Sequence, residues 1–202
     1  MKNTLFETIL FEHGKPQNSR YHRKRAIKST MDIFSSNIDF DLFRICCNDE
    51  SRPYRCKIIY SGNGIESVEF LPYIKTKVKK LKIVCSDEIS YGHKFLDRGA
   101  IEELHAQKGS CDDIIIIKNG LLTDTSIANI ALLDSNGIWV TPKIPLLCGT
   151  MRERLLDEGK IVERDVLCTD IFDYSKIAIM NALRGFEVLG SVKEVIELGD
   201  IG

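Results

Sequence analysis

Ile114-Ile115-Ile116-Ile117-Lys118-Asn119-Gly120-Leu121-Leu122-Thr123-Asp124-Thr125-Ser126-Ile127-Ala128-Asn129 reads as strand, turn, strand. The apolar run is too short for a typical helix, and Asn-Gly is the strongest short-range hairpin signal. The second strand is expected to continue from residue 121 to 134. A further turn at Ser135-Asn136-Gly137 leads into a third strand over 138–141, ended by Pro142 and Pro145. The segment therefore predicts a three-stranded antiparallel meander.

Downstream, a short helix is expected over 150–158, closed by Gly159 in the position that a left-handed cap favours. Strands follow at 161–166, 177–180 and 186–192. Upstream, Asp97 is read as the cap of a helix bearing Ile101 and Leu104 and ended by Gly109. The N-terminal part predicts a strand over 5–11 and then a helix opened by Asn18 or Ser19. Its apolar stripe would be Ile27, Met31 and Phe34 at i, i+4, i+7. A strand over 55–60, a turn at 61–64, a strand over 65–71 stopped by Pro72 and a short strand over 81–85 complete this half. The polar connection at 86–90 divides a small α/β domain, residues 1–88, from a larger β-rich domain, residues 89–202. The class is α+β.

Composition limits what such a chain can do. Of 202 residues, 44% are hydrophobic and 28% charged, with 14 glycines and 5 prolines, which excludes a disordered or collagenous chain. Lys plus Arg number 28 against 29 Asp plus Glu, so no global field draws the protein to nucleic acid or an anionic membrane. The basic stretch 20–28 forms one side of an amphipathic helix, and 75–82 lacks interleaved aromatics for base stacking. The apolar runs fall far short of the roughly 18 to 20 residues that a membrane span needs. Glu7 stands where a signal peptide would be apolar, which predicts a cytoplasmic protein. The seven cysteines are odd in number and lack a C-x-x-C pair, so reduced thiols are expected. Cys46, Cys47 and Cys148 have no His at ligand spacing and read as small buried hydrophobes, with no metal site. Trp139, in an alternating strand, is read as core.

The chemistry is concentrated in four pieces. Tyr91-Gly92-His93-Lys94-Phe95-Leu96-Asp97-Arg98 comes first, and Leu122 to Asn129 follows some thirty residues later. Thr141-Pro142 and then Cys148-Gly149-Thr150-Met151-Arg152 complete the set. A lysine forms a Schiff base only as the free amine, which asks for desolvation or neighbouring cations. Gly149-Thr150 at a helix start offers unpaired N–H groups, the positive dipole end and a hydroxyl to an anion. In this order the pieces resemble the class IV pyridoxal-phosphate enzymes, which comprise branched-chain and D-amino acid aminotransferases and aminodeoxychorismate lyase. The likeness runs from about Glu7 to the end.

That resemblance implies the two-domain fold type IV of the D-amino acid aminotransferases, with a shortened N-terminus. Relatives begin with an extra strand and a G-D-G-x-F loop before the segment matching Phe6-Glu7-Thr8-Ile9. It implies pyridoxal 5'-phosphate as cofactor, a small-molecule amine substrate and a homodimer. Lys94 takes the role of the Schiff-base lysine. Asp124 stands where the family places a glutamate beside the ring nitrogen, with Asn129 closing the motif. Gly149 and Thr150 take the phosphate. Tyr21-His22-Arg23-Lys24-Arg25 resembles the family's H-x-x-R helix, which makes Arg25 a second phosphate anchor. Periodicity alone would instead leave His22 and Arg25 on the solvated face of that helix.

Two further likenesses lean toward the lyase that makes 4-aminobenzoate and pyruvate for folate synthesis. Lys94 to Arg98 is similar to its K-x-L-N-R, and Met180-Asn181-Ala182-Leu183 is similar to its C-N-A-L strand. Aminotransferases more often carry S-G-T at the second place. Arg98 and Arg184 are the candidates for holding a substrate carboxylate, since guanidinium forks match carboxylates. The alternatives are a class IV aminotransferase and a non-catalytic homologue that acts as a binding protein.

Overall fold

The structure, a computed structural model, describes residues 4–36, 45, 47 and 51–198. The chain packs as two compact units, Met1–Lys75 with His93–Asp97, and Thr76–Gly92 with Arg98–Gly202. The boundary read from sequence at 88/89 differs from this division. The 81–85 strand, placed by that reading in the first domain, hydrogen-bonds into the second unit's sheet. The lysine segment belongs to the first unit instead.

In the first unit, β1 (Leu5–Glu12), β2 (Lys15–Pro16), β3 (Tyr54–Ser61) and β4 (Gly64–Pro72) form an antiparallel sheet in the order β2-β1-β3-β4. The helix α1 (Ser19–Phe34) packs on it. Alternation in β3 turns Cys56, Ile58 and Tyr60 inward against Leu5, Ile9, Phe11 and Ala26. The helix buries only part of the stripe that its apolar residues predict: Phe34 packs against the core and Ile27 is half-buried. Met31 is 47% exposed, whereas His22, Ala26, Ser29 and Thr30 are buried. Polar residues win this face because β1 offers His22 and Arg25 a buried carboxylate, Glu7. With the carboxylate already inside, turning its partners outward would strand a buried charge, a heavier cost than leaving one thioether exposed.

The second unit is built on a larger mixed sheet. Its strands are β5 (Leu81–Cys85), β6 (Asp113–Lys118), β7 (Leu121–Thr125), β8 (Asn129–Leu133), β9 (Trp139–Pro142) and β10 (Val162–Arg164). β11 (Lys176–Asn181), β12 (Gly185–Ser191) and β13 (Ile196–Glu197) complete it. The order is β10-β9-β8-β7-β6-β5-β13, with β11 joining β8 and β12 joining β11. Three short α-helices, α2 (Gly99–His105), α3 (Thr150–Asp157) and α4 (Val192–Val195), and 3-10 turns over Ala106–Lys108 and Cys168–Asp173 decorate it. The isoleucine run of β6 is buried at every position from Ile114 to Ile117, as a strand covered on both faces requires. Asn119 and Gly120 both take positive φ, the signature of the hairpin turn read from their sequence.

The single long strand expected over 121–134 is in fact two, β7 and β8, folded into a hairpin at 126–128. No Gly, Pro or Asn marks this turn. The Thr125 hydroxyl makes it instead, accepting hydrogen bonds from the N–H groups of Ile127 (3.2 Å) and Ala128 (3.0 Å). The meander therefore has four strands, β6 to β9. Two smaller expectations also change. Trp139 is only half-buried, edge-on to Phe186. Cys148 is exposed and Cys47 half-buried, while Cys46 lies outside the described residues. Among the described residues no helix is long and apolar enough to cross a membrane.

Candidate active site

In the first unit, Lys94 lies on a short extended stretch laid along β1. The Phe6 N–H donates to the Lys94 carbonyl (3.0 Å) and the Leu96 N–H to that of Thr4 (2.8 Å), while Leu5 and Phe95 form a bridge. These bonds fix the lysine backbone. Its half-buried side chain places Nζ 4.5 Å from the centre of the Phe6 ring. The next residue of β1, Glu7, is 1% exposed. It accepts hydrogen bonds from Arg25 Nε (2.9 Å) and Nη2 (2.5 Å) and from His22 Nδ1 (2.5 Å).

Burial alone would raise the Glu7 carboxyl, but Arg25 and His22 hold it down at about 2. Burial lowers the His22 imidazole against the upward pull of Glu7, and the charges of Arg25 and Lys94 lower it further. A neutral His22 bonded to a carboxylate carries its proton on Nδ1. Its Nε2 is buried and has no hydrogen-bond partner among the described residues. Sequence reasoning missed Glu7. The one available signal was an acid inside an apolar strand, which carries no information about a partner on the following helix.

In the second unit, Asp124 and Asn129 are cross-strand partners of the β7–β8 hairpin. Asn129 Nδ2 donates to Asp124 Oδ1 (2.7 Å) and to the Leu147 carbonyl (2.8 Å), and the Leu147 N–H donates to Asp124 Oδ2 (2.9 Å). Asn129 is thus the brace of the carboxylate. Burial pushes Asp124 up to about 7, although Leu147 and Asn129 donate to it and Arg152 is nearby. Arg152, buried, ties α3 to the neighbouring strands through the Pro142 carbonyl (2.9 Å) and Glu163 (2.6 Å).

Gly149 caps α3 with extended backbone, and a Cβ there would stand 2.0 Å from Asn129 Oδ1. Thr150 opens the helix, and its buried Oγ1 has no hydrogen-bond partner among the described residues. Gly149→Ala is therefore expected to push Asn129 off Asp124. The cost should be about 1–3 kcal/mol of stability, the usual scale of overpacking. Urea unfolding of wild type and variant checks it, and an unchanged midpoint would contradict the packing argument.

The two remaining arginines differ in their surroundings. Arg98 donates through Nη2 to the Ser126 carbonyl (2.8 Å) and lines a cleft of about 410 Å³ with Lys77, His105 and Asp113. Arg184 is 9% exposed and is already engaged: Nη2 donates to the Thr76 carbonyl and hydroxyl (2.7 and 2.8 Å), and Nη1 to Glu187 (2.8 Å). Its visible work is to hold the 76 segment against β12. Asn181 also builds structure. Its Oδ1 accepts from the N–H groups of Leu183 and Arg184, and its Nδ2 donates to the Ile127 carbonyl.

A family model described as amino-transferase class IV matches residues 67–188, more than half of the chain. The chain belongs to the class IV aminotransferase family. A Haemophilus influenzae protein described only as uncharacterized is 37% identical over 186 residues, covering 90% of this chain and 98% of that protein. The crystal structure of a candidate 4-amino-4-deoxychorismate lyase from Haemophilus somnus superposes with a TM-score of 0.85 at 35% identity. It covers 92% of this chain and 98% of that one. A shorter match, 36% over 89 residues, joins 41% of this chain to 24% of the aminodeoxychorismate lyase of Saccharomyces cerevisiae.

Class IV enzymes have fold type IV and depend on pyridoxal phosphate. The class IV residues of this chain fit that cofactor chemically. Asp124 is a buried carboxylate held by donors on both oxygens, the group that a pyridine nitrogen needs. The unsatisfied Thr150 hydroxyl at the α3 N-terminus suits a phosphate. The aspartate in place of the family's glutamate is shorter by one methylene, and the Leu147 N–H and Asn129 amide hold it at that length.

Proposed function

We propose that this class IV enzyme is a lyase converting 4-amino-4-deoxychorismate to 4-aminobenzoate and pyruvate. The observation that carries the choice over transamination is the turn after β11. There Asn181 satisfies the backbone of Leu183 and Arg184. Residue 183 is an apolar leucine, at the place where class IV aminotransferases more often carry a phosphate-touching threonine. The lyase descriptions of the Haemophilus somnus and yeast relatives support the same choice.

Pyridoxal phosphate, when bound, supplies an aldehyde carbon and an electron-accepting ring. Lys94 is the residue that would hold the aldehyde, through Nζ as a neutral amine, and the same amine would serve as the general base toward the substrate carbon. Asp124, braced by Asn129 and Leu147, keeps a positive charge on the ring nitrogen favourable. In the second unit, Thr150 and the first N–H groups of α3, with Gly149 leaving room for Asn129, would suit the phosphate; in the first unit, Arg25 is the candidate phosphate anchor. Arg98 orients a substrate carboxylate. Arg184 is given no substrate role, because its Nη atoms already serve Thr76 and Glu187. The working form is proposed to be a cytoplasmic homodimer serving folate synthesis.

The deciding experiment gives 4-amino-4-deoxychorismate to the purified holoenzyme and follows pyruvate through lactate dehydrogenase. Pyruvate and 4-aminobenzoate in equal amounts are expected. Conversion of the cofactor to its amine form by an amino donor, with no pyruvate from 4-amino-4-deoxychorismate, would replace the lyase reading with the aminotransferase one. Sedimentation of the same preparation tests the dimer.

A further inference from the structure

We infer that Glu7 is a positioning residue for the phosphate-binding edge of the site: it sets the direction of Arg25 by a two-point clamp and locks it with His22. The inference rests on the reading that Arg25 holds the cofactor phosphate.

Three observations carry it. The carboxylate is anchored in the sheet, because Glu7 is a paired residue of β1 opposite Ile58 of β3. From that fixed point it meets Arg25 through both Nε and Nη2, a fork that defines the plane of the guanidinium as well as its place. A long arginine side chain otherwise keeps much of its roughly 2 kcal/mol of rotamer entropy, so an unclamped Arg25 would have to be ordered by the phosphate itself. The third observation is His22, which lies one turn before Arg25 on α1 and donates to the same carboxylate oxygen as Arg25 Nη2. All three side chains are buried or nearly so, with Arg25 at 11%. The clamp is therefore dry, and its charge-assisted bonds are not diluted by solvent. A phosphate arriving at Arg25 would meet a cation whose orientation has been settled by folding.

The test compares the affinity of the cofactor-free enzyme for pyridoxal phosphate with that for pyridoxal, which has the same aldehyde without the phosphate. Both are titrated by absorbance. In Glu7→Gln the preference for the phosphorylated form is expected to fall about tenfold, with pyridoxal affinity unchanged, on the scale of one charge-assisted hydrogen bond. Arg25→Met is the reference for losing the anchor altogether. If Arg25→Met loses the preference and Glu7→Gln keeps it, the positioning role is overturned while the phosphate reading stands. If Arg25→Met keeps the wild-type preference, the phosphate reading itself fails. A fall in affinity for both ligands alike in Glu7→Gln would mean a merely structural role and also overturn the inference. Should Glu7→Gln not fold, Glu7→Asp keeps the charge but withdraws it by one methylene. It is expected to lose the preference as well, and a wild-type ratio there refutes the clamp.

Discussion

Lys94→Ala is expected to lower turnover by about 10³-fold or more, the upper part of the range for removing a general base, since the same amine is also the proposed holder of the cofactor aldehyde. The Lys94 carbonyl accepts from the Phe6 N–H of β1 and the nearby Leu96 N–H donates to Thr4, so the fold should survive the loss of the side chain. Lys94→Arg separates charge from chemistry. A guanidinium keeps a cation beside the Phe6 ring but does not deprotonate at working pH, so it should be as inactive as alanine. Borohydride reduction of the loaded wild type should leave the cofactor mass on the peptide containing Lys94 and on no peptide of either variant. Cofactor mass on another lysine of Lys94→Ala, with turnover retained, would move the chemistry away from this residue.

The second large effect is expected at Asp124. Its carboxyl is raised from an ordinary 3.8 to about 7 by burial. For a carboxyl raised on folding, the unfolded chain gives up its proton first. Stability is then greatest below pH 3.8 and is lost as pH rises toward 7. The interval corresponds to roughly 4 kcal/mol in the cofactor-free protein. Asp124→Asn should abolish that slope. It will not be a neutral swap at low pH, because both carboxylate oxygens accept from N–H donors, and one of the amide's two ends must oppose a donor. Urea unfolding of the cofactor-free proteins at pH 4.5 and pH 7 isolates the effect of this carboxyl: the wild type should lose more stability than Asp124→Asn between the two. Parallel lines would refute a buried, proton-holding carboxyl. In the loaded enzyme, Asp124→Ala is expected to reduce turnover by about 10²-fold or more, the scale of removing one preorganised charge-stabilising group.

Much of this architecture is legible locally because local chemistry makes it. The strand Leu81–Cys85 and the Asn119-Gly120 hairpin follow from short-range pattern. The helix that starts at Thr150 follows from the Gly149-Thr150 pair that opens it. The turn at 126–128 is different, because a threonine hydroxyl replaces the usual turn residues, and Thr125 equally suits the middle of a strand. The inward face of α1 was illegible for another reason. Its decisive partner, Glu7, is fifteen residues before His22, on a strand whose packing no helical periodicity records. The site divides in the same way. Motif order points to Lys94, Asp124 and Thr150, whereas the bond from the Leu147 backbone N–H to Asp124 is invisible to side-chain identity. The engagement of Arg184 with Thr76 also depends on a segment more than a hundred residues away.

The β7–β8 hairpin has a consequence for how this sequence can vary. Asp124 and Asn129 meet because they sit opposite each other across a turn of fixed count, not because of what the residues between them are. Ile127, which points to solvent, could change with little effect on the pairing. One residue added or removed would shift the register by a step and send one partner to the opposite face of the sheet. The motif is a ruler more than a spelling: tolerance to substitution and intolerance to a change of length coexist within the same few residues.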